Sequence, residues 1–303
     1  MEPAIKTHGL TKHFREHVAL DDLNLTVERG EVFGYLGPNG AGKTTTIRLL
    51  LGLIRPTSGE AHIFGLPAER NALEVHRQVA YVPGEASLWP ALTGGETLQL
   101  LGRLHGKVDE AYRDDLVERF DLDPSKPVRA YSKGNRQKVM LIAALMTRAP
   151  LLILDEPTAG LDPLMEQTFR ACVRAARDAG QTVFLSSHIL SEVEALCDRV
   201  AILRSGRLIE VGSLDQLRHL SKLTIEVTFE DEVVDLTTVP GVGAVEVAGQ
   251  HVRCQVAGEI TPLLHVLANA HVRELLSREP SLEELFLAHY GRGEEPQGDH
   301  GKR

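Results

Sequence analysis

Two stretches of the chain put phosphate-handling and water-activating groups at chemically useful spacings. The first is Gly37-Pro38-Asn39-Gly40-Ala41-Gly42-Lys43-Thr44, in which glycines lead into a lysine and a hydroxyl residue. Glycines allow successive backbone N–H groups to turn inward around an anion, and a helix opening near Lys43 adds the positive end of its dipole. Lys43 would then bridge β- and γ-phosphate oxygens, Thr44 would offer its hydroxyl to Mg2+, and Thr45 follows in the same cradle. The second stretch, Leu151-Leu152-Ile153-Leu154-Asp155-Glu156, is an apolar strand ending on two carboxylates. Burying charges at such a place is costly unless they have a task. Asp155 is suited to hold Mg2+ through water and Glu156 to polarise an attacking water. The plainer alternatives are a chance glycine-rich turn and a pair of carboxylates at a solvent edge. Both motifs together in one chain weigh against them and imply a nucleoside triphosphate as ligand, with Mg2+.

These residues need a scaffold, and up to roughly residue 215 the pattern is α/β, with short strands alternating with helices. Expected strands are Val32–Leu36, Val79–Val82, Leu151–Leu154, Thr182–Ser186 and Val200–Leu203. The last three are near-continuous apolar runs, as in parallel strands buried on both faces. Alternation on either side of Ser205-Gly206 suggests a hairpin. Three helical stripes are expected core faces: Ile47, Leu50, Leu51 and Ile54, stopped by Pro56; Val139, Ile142, Ala143 and Met146; and Phe169, Cys172, Val173 and Ala176, ending at Gly180. Beyond 215 the texture changes to a small α+β domain over 216–290. It has a strand at Leu223–Phe229, a hairpin joining Val245–Val247 to Val252–Val256, and a helix near Pro262–Ala270. A terminal helix is expected to be capped by Ser281 with Glu284 three residues on. The tail 291–303, rich in Gly, Glu and charge, reads as disordered.

Composition narrows the class. A net charge of −9 over 303 residues disfavours nucleic acid as a partner, since phosphate neutralisation needs concentrated Lys and Arg. Cys172, Cys197 and Cys254 are scattered, with no Cys-x-x-Cys pair, and read as thiols of a reducing cytoplasm. The segment Met1–Leu10 lacks the apolar core of a signal peptide. The most apolar stretch, Val139–Leu154, is broken by Arg148 and Pro150 and falls short of the about 20 residues that span a bilayer. Any membrane association is therefore expected to come through a partner.

Tyr131-Ser132-Lys133-Gly134-Asn135-Arg136-Gln137 decides among the many phosphate-loop proteins. It precedes the strand ending in Asp155 and opens a helix, with Ser132 as the N-cap candidate. This stretch resembles the signature motif of the ATP-binding cassette (ABC) family. Ala159-Gly160-Leu161-Asp162 follows Glu156 as that family's D-loop does, His188 after the strand at 182–186 matches its switch histidine, and Phe14 matches the aromatic that stacks on adenine. The resemblance covers about residues 4–215. It implies a P-loop NTPase cassette with a mixed central sheet and a helical subdomain at about 88–148, ATP and Mg2+ at the site, and ATP hydrolysis with Glu156 and His188 as catalytic residues. It also implies that Ser132, Lys133, Gly134 and Asn135 meet the nucleotide of a second copy, with Asp162 at the dimer interface. The partner would be an integral-membrane permease, usually a separate chain, which holds the cassette at the cytoplasmic face of the membrane. The variant signature and the ending Pro280-Ser281-Leu282-Glu283-Glu284-Leu285-Phe286 resemble drug-resistance exporters, implying export of a drug-like or other hydrophobic compound.

One departure concerns Tyr81-Val82-Pro83-Gly84-Glu85, where the family usually carries Gln after Pro and this chain has Gly84. Either Glu85 reaches in its place or the contact is missing. Lys133 and Asn135 also replace the commoner Gly and Gln. Trp89, the only tryptophan, falls where the family receives the permease, or else packs locally. The rival readings are a soluble cassette working on ribosomes or DNA and a module that senses ATP without hydrolysing it. One phosphate loop, no long heptad insertion, and Glu156 with His188 in place weigh against them.

Overall fold

The computed structural model describes residues 2–85, 87–106, 108–219 and 223–278. The chain divides into two compact units, one ending at Gly212 and one starting at Ser213.

The first unit contains β1 (Ile5–Phe14), β2 (His17–Val27), β3 (Val32–Leu36), α1 (Lys43–Leu50), β4 (Ser58–Ile63), β5 (Leu66–Pro67), α2 (Ala72–His76) and β6 (Val79–Val82). Next come α3 (Gly94–His105), α4 (Glu110–Arg119), α5 (Lys133–Leu145), β7 (Leu151–Asp155), α6 (Pro163–Asp178), β8 (Thr182–Ser187), α7 (Leu190–Leu196), β9 (Arg199–Arg204) and β10 (Arg207–Ser213). Six strands form one sheet in the order β10-β9-β3-β8-β7-β6. The pairs β9–β3, β3–β8, β8–β7 and β7–β6 are parallel. Their apolar runs are buried on both faces, which accounts for the absence of alternation in β3, β7 and β8. The expected hairpin closes through Ser205 and Gly206, at φ 48° and 78°, the two positive values a tight hairpin turn requires.

The antiparallel sheet β2-β1-β4-β5 is a layer the sequence reading did not delineate. Its inward side chains, among them Ile5, Leu10, Leu20 and Leu23, share one core with Phe33, Tyr35, Ile153 and Phe184 of the larger sheet. Helix α1 contributes Ile47 and Leu50 to that core. It ends earlier than Pro56 suggested, because Leu51 is already its cap and Gly52 turns to φ 64°. The helices α3, α4 and α5 pack together, and α5 also rests on β6. Phe169, Cys172, Val173 and Ala176 are buried along α6, which gives way to Gly180 at φ 85°.

The second unit contains α8 (Leu214–His219), β11 (Leu223–Phe229), β12 (Val242–Ala248), β13 (His251–Val256), α9 (Thr261–Ala268) and β14 (Val272–Arg278). Its sheet is antiparallel in the order β12-β13-β11-β14. Ile225, Val227 and Phe229 alternate inward with Val252, Cys254 and Val256, and α9 covers them with Leu263 and Leu267. Strand β14 was not anticipated, since Val272-Arg273-Glu274-Leu275-Leu276 alternates poorly. The expected terminal helix from Ser281 and the tail 291–303 lie outside the described residues.

Candidate active site

The parallel register assembles the site. Leu36 of β3 pairs with Ser187 of β8, and Asp155 of β7 pairs with Ser186. The glycine-rich loop, the two carboxylates and His188 therefore leave three adjacent strands at their carboxyl ends, where open α/β sheets receive ligands.

The loop itself is shaped by close approaches. At Gly42, φ is 111° and an added Cβ would stand 2.6 Å from Ala19 O. At Gly37 a Cβ would stand 2.6 Å from Leu203 O. Neither position admits another residue without moving backbone. Helix α1 starts at Lys43, so the N–H groups of its first turn lack intrahelical acceptors and face the loop. Tyr35, fully buried, holds that start in place: its hydroxyl lies 3.0 Å from Thr46 Oγ1, which donates to Gly42 O at 3.1 Å.

Lys43 is 5% exposed. Its ammonium donates to Gly37 O at 2.7 Å and to Pro38 O at 3.3 Å, and lies 3.6 Å from Glu156 Oε1. Burial pushes its pKa down, and the negative charges of Glu156 and Asp155 oppose the shift. Asp155 accepts from Thr44 Oγ1 at 3.0 Å and from Ser186 Oγ. A hydroxyl and a carboxylate side by side are the small protein share that Mg2+ takes when phosphates and waters complete its shell. Glu156 has φ 48°, an uncommon conformation for a residue with a side chain. Its backbone N–H donates to Ser186 O at 3.0 Å, and its Oε1 lies 3.1 Å from His188 Nδ1. Carboxylate, imidazole and ammonium thus converge.

A cleft of about 280 Å³ opens over these groups, lined in part by Phe14, Asn39, Gly40, Lys43, Thr45 and Glu156. Phe14 is 45% exposed there, so it is not a core residue. Lys12 Nζ sits 5.0 Å from the centre of its ring. His17 and Ala19 also line the cleft and were not anticipated.

Ser132, Lys133, Gly134 and Asn135 do not line this cleft. They form the start of α5, where the Ser132 hydroxyl accepts from Asn135 N at 3.2 Å. Ser132 and Lys133 are exposed. Asp162 is exposed and caps α6, accepting from Met165 N at 3.0 Å, a structural use the Asp-Pro pair could have announced. Gly84 stands beside Asp155, and an added Cβ would lie 3.5 Å from Asp155 O and 3.8 Å from its carboxylate. Glu85 is exposed. Trp89 is 46% exposed, so it is not local core. Sequence reasoning missed the supporting hydroxyls: Ser186 on Asp155, and Ser187, which donates to the buried Glu192 at 2.7 Å. Their adjacency in Ser186-Ser187-His188 was the available signal.

Fold and site define a phosphate-loop ATPase built around a signature helix. A family model described as ABC transporter matches residues 20–159. The bacitracin transport ATP-binding protein BcrA of Bacillus licheniformis is 38% identical over 77% of this chain and 77% of its own. The daunorubicin resistance ATP-binding protein DrrA3 of Streptomyces coeruleorubidus is 35% identical over 94% of this chain and 95% of its own. A solved ATP-binding subunit of an ABC transporter superposes with a TM-score of 0.68 at 34% identity, covering 72% of this chain and 92% of that one. The chain belongs to the ATP-binding subunits of ABC transporters, which bind and hydrolyse ATP. No helix among the described residues is long and apolar enough to cross a membrane.

Proposed function

We propose that this subunit works as a dimer of two copies at the cytoplasmic face of the membrane, energising a separate integral-membrane permease that exports a hydrophobic, drug-like compound. The observation that carries the proposal is the division of anion-binding groups between two places. Lys43, Asp155, Glu156 and His188 surround one cleft, while the capped, exposed start of α5 stands outside it. Each complete site then takes its cradle from one copy and Ser132 with Gly134 from the other. Export is supported by the relatives named for bacitracin transport and daunorubicin resistance.

In this reading Phe14 stacks on the base, residues 37–45 wrap the phosphates, and Lys43 turns from Gly37 O toward the β- and γ-phosphate oxygens. Thr44 and Asp155 would hold Mg2+, which neutralises developing phosphate charge when bound. Glu156 accepts the proton of the attacking water, and His188, 3.1 Å away, orients that carboxylate and meets the γ-phosphate. ATP favours the closed dimer because its γ-phosphate is read from both sides. Hydrolysis removes that preference, and a ligand shifts an equilibrium only by its differential affinity. Trp89, exposed and aromatic, is assigned to the permease-facing surface. The test is affinity purification of the chain from membranes of its source cell. A multi-span protein that co-purifies and stimulates ATP turnover supports the reading, and a chain that hydrolyses ATP yet brings down no multi-span protein refutes it.

A further inference from the structure

The start of α5 and the catalytic carboxylate are tied together within one chain. Gln137, one turn into α5, is 2% exposed, and its Nε2 donates to Pro157 O at 2.9 Å. Pro157 directly follows Glu156. Farther along the same loop, Gly160 passes so close to α5 that a Cβ at Gly134 would stand 2.5 Å from Gly160 O. The aliphatic stem of Lys133 lies against Gly160 on the neighbouring side. Between these two anchors the loop is short and internally bonded, with Ala159 N donating to Glu156 O at 3.2 Å and Leu161 N to Thr158 O at 2.9 Å. A displacement of the first turn of α5 therefore cannot leave Glu156 where it was. Glu156 also depends on its neighbours for its place, because φ 48° in a residue with a side chain persists only where the surroundings enforce it.

We infer that Gln137 is a positioning residue that couples the Ser132–Gly134 surface to Glu156, so that engagement of one nucleotide by α5 sets the carboxylate that hydrolyses the other. The inference rests on the proposed dimer with shared sites. Gln137 is buried and does not line the cleft. It transmits position through one buried hydrogen bond, backed by the Gly134–Gly160 contact. The coupling makes the two hydrolysis events of a dimer interdependent.

The test uses the full chain with Gln137→Met, which keeps length and removes the donor, and Gln137→Glu, which can donate to Pro157 O only when protonated. For the parent protein, ATP turnover should be sigmoidal, with a Hill coefficient approaching about 2, the number of sites. Gln137→Met should bring it to about 1 and lower kcat roughly 10–10²-fold, the scale of a small misplacement of a reacting group. Its affinity for a fluorescent ATP analogue should be unchanged. Relative to the parent, Gln137→Glu should recover kcat as pH falls from about 8 to 6, while Gln137→Met does not. Hyperbolic turnover by the parent, or parent-like kcat and Hill coefficient in Gln137→Met, overturns the inference. So does a loss of analogue affinity in step with kcat, which would mark a general disruption of the fold. ATP-induced dimerisation of Glu156→Gln, read by light scattering, keeps the two failures apart. If it stays monomeric the dimer reading falls. If it dimerises while Gln137→Met behaves as the parent, only the coupling falls.

Discussion

Glu156→Gln changes charge while keeping shape, and the site defines what that removes. Backbone φ stays at 48°, the side-chain length is the same, and the amide still lies within hydrogen-bond reach of His188 Nδ1. On the role proposed for Glu156, what disappears is the acceptor for the proton of the attacking water, so turnover should fall roughly 10²–10⁴-fold. At about 1.4 kcal/mol per tenfold, that is about 3–5.5 kcal/mol of transition-state stabilisation. Binding should survive, because Lys43 keeps its carbonyl partners and Asp155 keeps Thr44 and Ser186. Lys43 loses the nearer of two opposing charges while remaining buried. In the absence of nucleotide the ammonium is then less well matched, and a phosphate that supplies negative charge should bind at least as tightly as before. The assay is phosphate release under saturating ATP, alongside equilibrium binding of a fluorescent ATP analogue. Near-normal hydrolysis would falsify the assignment of Glu156 as base, and an equal collapse of binding and turnover would show that it is part of the cradle.

Other expectations follow from the same geometry. Lys43→Ala removes a buried cation, and at about 1.5–3 kcal/mol for each charge-assisted hydrogen bond the analogue should bind roughly 10–10²-fold more weakly; unchanged affinity contradicts the cradle. Gly84→Gln introduces a side chain at ordinary contact distance from Asp155, so thermal stability should hold and half-maximal turnover should need less Mg2+. A Mg2+ titration identical to the parent's shows that position 84 does not serve the metal side. Glu192 has a pKa raised by burial, only partly offset by hydrogen bonds from Ser187 and Thr158. A carboxyl whose pKa is higher in the fold than in the unfolded chain costs no stability below its unfolded value near 4.5, and the cost grows as pH rises through the folded value. Glu192→Gln should therefore raise Tm at neutral pH by about 2–4 °C per kcal/mol relieved, with the gain fading toward pH 4.5. A gain independent of pH refutes the buried-charge explanation.

What could be read from the chain alone divides along a physical line. Lys43, Thr44, Asp155 and Glu156 were legible because local rules bind them: a glycine turn needs its glycines, and an apolar strand ending in carboxylates declares a buried edge. Strands β3, β7 and β8 were legible for a related reason, since continuous apolar runs bounded by turn residues have few other uses. The antiparallel layer β2-β1-β4-β5 escaped because β1 and β4 pair across long separations, and bulges at Thr7–Leu10 and His8–Thr11 break the alternation that would announce them. Strand β14 escaped for want of alternation. The exposure of Phe14 and Trp89 was also beyond reach, because an aromatic residue looks the same in sequence whether it faces a core or a partner. Least legible of all was Gln137. In sequence it is one more polar residue on a helix, yet the fold buries it against a carbonyl twenty residues away, next in the chain to Glu156. Local pattern thus discloses the groups gathered at the cleft, while the groups that hold them in register appear only when distant segments are brought into contact. In the proposed dimer, where two sites would be coordinated, that second set would decide how the first behaves.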